Sequence, residues 1–302
     1  MRCASFLVAL LCIFKCIGLV SAICTVSNHQ GGSGNRLQCS NATLQTINNQ
    51  TTDVSGIMIF NSDLRYIQER MFIRYARYLQ SLNMHNCHIN DIHSDAFDGL
   101  ASLKKLALPN NNLTRVKEEW FNDLVYLEQL DLSFNHISMI ESSIFGKMPL
   151  LKRLDIRENR FTCIDPSPLP GGIDKLYFNG NPLTFKSRGT LTLWLRDHGV
   201  AYKIESIEKE AWLDKLLWLC AIGDASVAES EELIKECVIL NAFNQLRTGL
   251  STAESYPLVT NCAVQRNLLT SCIVTETQRQ QSLTNGNVIK KLLLYIGQAK
   301  SV

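Results

Sequence analysis

No stretch of this chain after its first residues is apolar for long enough to cross a bilayer, which takes about 20 residues. The longest later candidate, Leu292-Leu293-Leu294-Tyr295-Ile296, reads as one face of a helix. An excess of one charge is missing as well: 30 basic residues stand against 28 acidic ones. That balance gives no electrostatic reason to expect nucleic acid or an anionic membrane as partner. The chain has no Walker loop, no zinc-protease histidine pair and no Cys-x-x-Cys, and Gly31-Gly32-Ser33-Gly34-Asn35 falls short of a nucleophile elbow. No catalytic residue, cofactor or metal is therefore expected. Sustained heptads are absent too, which argues against a coiled coil.

What is present begins with an address. Arg2 supplies a positive start, residues 6–14 an apolar run, and Val20-Ser21-Ala22 a small-residue cleavage site before Ile23, so residues 1–22 read as a secretory signal peptide. Lys15 interrupts the apolar part. Removing the segment removes Arg2 and Lys15 and no acid, which leaves 28 charges of each sign. The expected location is secreted and extracellular. Three glycosylation sequons begin at Asn41, Asn49 and Asn112 and suit an exported glycoprotein. Asn112 is the outward residue between inward Asn111 and Leu113.

The dominant signal is a repeat. An apolar-x-x-apolar-x-apolar-x-x-(Asn, Cys or Ser)-x-apolar pattern starts at Val54, Leu79, Leu103, Leu127, Leu151 and Ile173, with steps of 22 to 25 residues. In the copy from Leu127, the period-2 segment makes Leu130 and Leu132 inward residues of a short strand. Asn135 then turns inward, where its amide can bond the backbone of adjacent turns. A second register carries the same period: Phe72, Phe97, Phe121 and Phe145 each follow the start of their copy by 18 residues, and Leu169 takes that place in the fifth. These side chains should stack into a spine along the convex side of a quasi-one-dimensional array.

This period, with Asn111, Asn135, Asn159 and Asn181 closing the strands, resembles the leucine-rich repeat family. The expected fold is an α/β solenoid, a horseshoe of about six repeats over 54–186. An N-terminal cysteine cap spans 23–53, a cap helix 187–203 and a helical, cysteine-containing region 204–302. The cap is implied by the resemblance: Cys24 and Cys39 stand where extracellular members carry a disulfide, which here closes a loop worth about 3 kcal/mol in the chain-entropy model. Cys87 occupies the Asn position of its repeat and reads as a buried structural thiol. Cys163 stays ambiguous. Cys220, Cys237, Cys262 and Cys272 should form two bridges in an oxidising compartment, with three connectivities open.

Past Asn181-Pro182-Leu183 the period becomes helical. Leu191, Trp194 and Leu195 mark a helix ending at Gly199, although the family's usual cysteine after Asn-Pro is replaced by Phe185 and Lys186. A second pattern runs from Ile207 to Gly223, and a third from a Ser226 cap to about Arg247. Ser255-Tyr256-Pro257 breaks it, and weaker patterns follow at 264–275 and 287–298.

Two clusters compete as functional sites. His85, Cys87, His88 and His93 have a metal-binding composition, but repeat geometry sends their side chains apart. The stronger candidate is the strand surface facing the concave side. There Lys105, Arg153, Arg157, Lys175 and Tyr177 form a basic strip anchored by an aromatic residue, of types favoured at interfaces. The family consensus also accounts for Asp131 and Asp155, and a solvated face is the competing account. The whole architecture resembles the short secreted leucine-rich immune proteins of insect haemolymph. That resemblance implies an extracellular protein partner, such as a complement-like thioester protein or another leucine-rich repeat chain. A soluble matrix or receptor-ligand adaptor, or a horseshoe-type enzyme inhibitor, would use the same repeats.

Overall fold

The computed structural model describes residues 22–28, 34–200 and 208–247, with side chains in the last stretch from Leu216 to Asn241. The signal segment up to residue 21, residues 31–33, the break at Ser255-Tyr256-Pro257, the patterns at 264–275 and 287–298, Cys262 and Cys272 lie outside the described residues.

The strands are β1 (Ile23–Asn28), β2 (Asn35–Ser40), β3 (Gly56–Phe60), β4 (Tyr66–Ile67), β5 (Ser81–His85), β6 (Asp91–Ile92), β7 (Lys105–Ala107), β8 (Gln129–Asp131), β9 (Arg153–Asp155) and β10 (Lys175–Tyr177). Eight of them form one sheet in the order β1-β2-β3-β5-β7-β8-β9-β10, and β4 pairs with β6 in a separate ribbon. β1 runs antiparallel to β2, and the strands from β2 onward pair in parallel. The register stacks Leu37, Ile57, Leu82, Leu106, Leu130, Leu154 and Leu176 in one buried row. Period-2 alternation thus gives each strand one apolar face, and the parallel register lays those faces end to end.

Three 3-10 turns, Ile73–Tyr75, Glu118–Phe121 and Ser142–Lys147, return the chain on the opposite side. Phe72, Phe97, Phe121, Phe145 and Leu169 are all buried, as their period requires. Trp120 joins the spine: its indole N–H donates to the Ile92 carbonyl at 3.3 Å, and its ring meets Phe97 edge-on at 6.5 Å.

The asparagines satisfy the backbone of the tight turns. Asn135 Nδ2 donates to the carbonyls of Leu108, Leu132 and Ser133, and its Oδ1 accepts from Leu113 N–H at 3.1 Å. Asn111, Asn159 and Asn181 repeat this bridge. At Cys87 the thiol donates to the Ile59 carbonyl at 3.5 Å. No acceptor is needed there, because Leu64 N–H donates instead to the Cys87 backbone carbonyl.

The N-terminal end of the core is closed by the β1–β2 hairpin, in which Cys24 and Cys39 are cross-strand neighbours joined by a disulfide. Met58 and Phe60, half-buried on β3, lie beside Gln38 and Ser40 of β2. The short helix α1 (Leu44–Asn48) follows, with the Thr43 hydroxyl accepting from Thr46 N–H.

The other end is closed by helices: α2 (Phe185–Asp197), α3 (Glu208–Gly223), α4 (Ala225–Ala228) and α5 (Glu231–Arg247). The third helical pattern divides differently from the expectation. Asp224, not Ser226, is the cap: its carboxylate accepts the Ser226 N–H and hydroxyl and starts α4, while Ser230 accepts from Leu233 N–H at the start of α5. An aspartate two residues earlier outcompetes the serine for the same orphan amides. These helices pack on α2. Phe185 joins Leu216, Leu217, Ile234 and Val238 in a second core, and Cys220 of α3 is bonded to Cys237 of α5. The Glu231 carboxylate accepts the N–H groups of Phe185 and Lys186, capping α2 from 46 and 45 residues away. A Cβ at Gly189 would collide with Ile234, so glycine lets the helices approach closely. Apolar packing around Phe185 therefore does the closing work where a cap cysteine was missing.

Candidate functional site

The sheet's concave rows follow from the same register. One row runs Ser81, Lys105, Gln129, Arg153, Lys175, and the next runs Asn83, Ala107, Asp131, Asp155, Tyr177. Arg153 and Lys175 are therefore direct cross-strand neighbours, as are Asp155 and Tyr177, at the roughly 4.8 Å strand spacing. Lys105 is exposed in the same row as Arg153, with Gln129 of β8 between them. The register and the Asp155 carboxylate bring Arg153, Arg157, Lys175 and Tyr177 together and leave Lys105 two strands from Arg153, with β8 between.

Asp155 organises the cluster, and sequence reasoning assigned it only to the repeat consensus. Its side chain is 1 % exposed and receives Arg157 through two bonds, Nε to Oδ1 at 2.9 Å and Nη2 to Oδ2 at 2.8 Å. Arg153 approaches the same carboxylate at 3.7 Å. Both guanidinium groups also lie over the Tyr177 ring, 4.7 and 5.1 Å from its centroid. Tyr177 is thus the platform on which the arginines rest, and its half-buried ring is not a bare anchor. The arginine side chains remain 39 % and 26 % exposed, so both still reach solvent. Asp131, the neighbour of Asp155, is occupied locally: its Oδ1 accepts the Ser133 N–H and hydroxyl.

The arrangement suits recognition. A bidentate arginine–carboxylate pair fixes a planar fork of donors in space, and a second guanidinium stacked on the same ring doubles the positive edge. Chemically it can receive a carboxylate or other acidic group from a partner, with Lys175 alongside.

The histidine-cysteine group does not converge. His85 and His88 are exposed, Cys87 is buried, and His93 Nδ1 accepts from Asp95 N–H. Among the described residues no group of three or more His, Cys, Asp or Glu is placed to hold a metal ion. Burial pushes the Cys87 thiol up to about 11, which keeps it protonated and unreactive at neutral pH. Cys163 is exposed and unbonded among the described residues. Native alkylation followed by peptide mapping should accordingly label Cys163 within minutes and Cys87 only after denaturation. Early labelling of Cys87 would mean that the second repeat opens.

Asn41, Asn49 and Asn112 are all exposed. Among the described residues no helix is long and apolar enough to cross a membrane.

Residues 77–137 and 125–183 match the family model described as leucine rich repeat. The solenoid is a leucine-rich repeat domain. No curated protein matches the chain.

Proposed function

We propose that the chain is a secreted leucine-rich repeat recognition protein that binds another extracellular protein through its concave face, in innate immunity. The observation that carries this reading is the arginine pair: Arg153 and Arg157 are held over Tyr177 by one buried carboxylate while their side chains stay partly exposed. Fixing flexible side chains before binding lowers the entropy lost on association. Lys175 and, two strands from Arg153, Lys105 extend the same positive surface. The two disulfides and the three exposed sequons support an exported glycoprotein. The immune role rests on likeness to short secreted leucine-rich immune proteins, whose partners are complement-like thioester proteins or other repeat chains. Repeat arrays are binding scaffolds, and the concave cluster lacks a paired nucleophile and base. Affinity capture on the tagged mature chain, from the extracellular fluid in which it occurs, tests the proposal. A protein should be retained, and it should elute as salt is raised, because exposed positive edges are screened. Retention of no protein would sink the reading.

A further inference from the structure

Phe134 is out of place by every local rule. It lies in the column Asn86, Asn110, Phe134, Glu158 and Gly180, all of which have positive φ, from 51° to 74°, with Phe134 at 55°. Asparagine and glycine tolerate that backbone, whereas a bulky aromatic there is strained. Its ring is nevertheless 51 % exposed, so no core burial compensates for the strain. The repeat turn imposes that backbone on the column, so what the fold leaves unexplained is an exposed aromatic at its one bulky apolar member, and this points to a contact outside the bare chain.

An exposed groove lies around Phe134. It is an open groove of about 420 Å³ lined by Asn110, Asn112, Phe134, His136 and Glu158 among others. Asn112 is the sequon asparagine, exposed between buried Asn111 and buried Leu113, and it lines the groove. Phe134 adjoins it through the backbone, its carbonyl accepting Asn111 N–H at 3.2 Å.

The geometry points to the core sugar of an Asn112-linked glycan as the occupant of this groove, with the apolar face of its first N-acetylglucosamine laid on the Phe134 ring. This rests on the reading of the chain as an exported glycoprotein. The linkage forms when the Asn112 amide nitrogen attacks the anomeric carbon of a lipid-linked oligosaccharide diphosphate: the N–C bond forms, the C–O bond to the diphosphate breaks, and one amide proton is lost. The other amide hydrogen remains, so the bond that Asn112 Nδ2 donates to Asn90 Oδ1 at 3.1 Å can persist. The sugar's hydroxyl and acetamido groups then meet a polar wall of Asn110, His136 and Glu158, while its carbon face meets the phenyl ring of Phe134.

The test is a thermal cycle on protein secreted from a glycosylating host, using the wild type, Asn112→Gln, Phe134→Asn and the double variant. Phe134→Asn places in this column the residue that Asn110 already supplies there, so the fold tolerates it. Loss of the glycan by Asn112→Gln should lower Tm by about 2–4 °C when Phe134 is present and by less than about 1 °C when it is replaced. Trimming the wild-type glycan to its first sugar should preserve the effect. Equal Tm losses in both backgrounds, or none in either, would overturn the inference. Intact mass separates the two levels: Asn112 bare while Asn41 or Asn49 carries glycan overturns this inference alone, and no glycan at any sequon overturns the export reading as well.

Discussion

Replacing Asn135 with alanine should lower the stability of the solenoid by about 1–3 kcal/mol, because it orphans the buried Leu113 N–H and leaves the apolar packing nearly intact. The Leu108 and Leu132 carbonyls each keep a second donor, from Asn111 and Asn159 respectively. Leu113 N–H loses its acceptor, since Asn135 Oδ1 is its partner inside the turn. Asn135→Cys should cost nearly as much. A thiol serves at Cys87 because Leu64 N–H is already received by a backbone carbonyl, and position 135 has no such substitute. Urea unfolding followed by far-UV circular dichroism measures both variants. If Asn135→Cys is neutral, the ladder of asparagines is not what closes the turns.

The second large effect is expected at Asp155. Its carboxylate is buried and pairs with two guanidinium groups, so Asp155→Ala leaves two arginines side by side without their counter-charge. Breaking a fully buried pair costs about 3–5 kcal/mol. Both arginines reach solvent, which screens part of the loss, so about 2 kcal/mol is expected here. Affinity for the protein partner should fall by roughly thirtyfold, the equivalent of about 2 kcal/mol, because the donors lose their fixed geometry. Asp155→Asn keeps the shape and one acceptor and should lose less of both. Equal stability of wild type and Asp155→Ala would show that the arginines are held by Tyr177 alone.

How far these features could be read in advance depends on how local their cause is. The solenoid follows from a period that any one repeat displays: Leu130, Leu132 and Asn135 fix the strand and its turn, and Phe121 fixes the return. The concave rows follow too, because a parallel register with a constant step brings Arg153 beside Lys175 without further information. The role of Asp155 was not legible, since the same consensus position at Asp131 serves only its own turn. Only the pairing distances separate the two aspartates. The closing helices were legible as helices, but not their docking, which rests on Glu231 reaching Phe185 and Lys186 across more than 40 residues. Phe134 stayed silent because nothing in an Asn-Phe-Glu column announces a positive φ until the backbone is seen.

The central claim is that the arginine pair on Tyr177 is the binding surface. It is tested most directly by parallel affinity capture with the wild type and the Arg153→Ala, Arg157→Ala double variant as baits, once circular dichroism has shown both folded. The retained protein should be depleted by tenfold or more on the variant, since anchors at an interface centre cost about 2 kcal/mol or more. Retention of the same protein in equal amount on both baits would contradict the account and move the binding surface off the concave face.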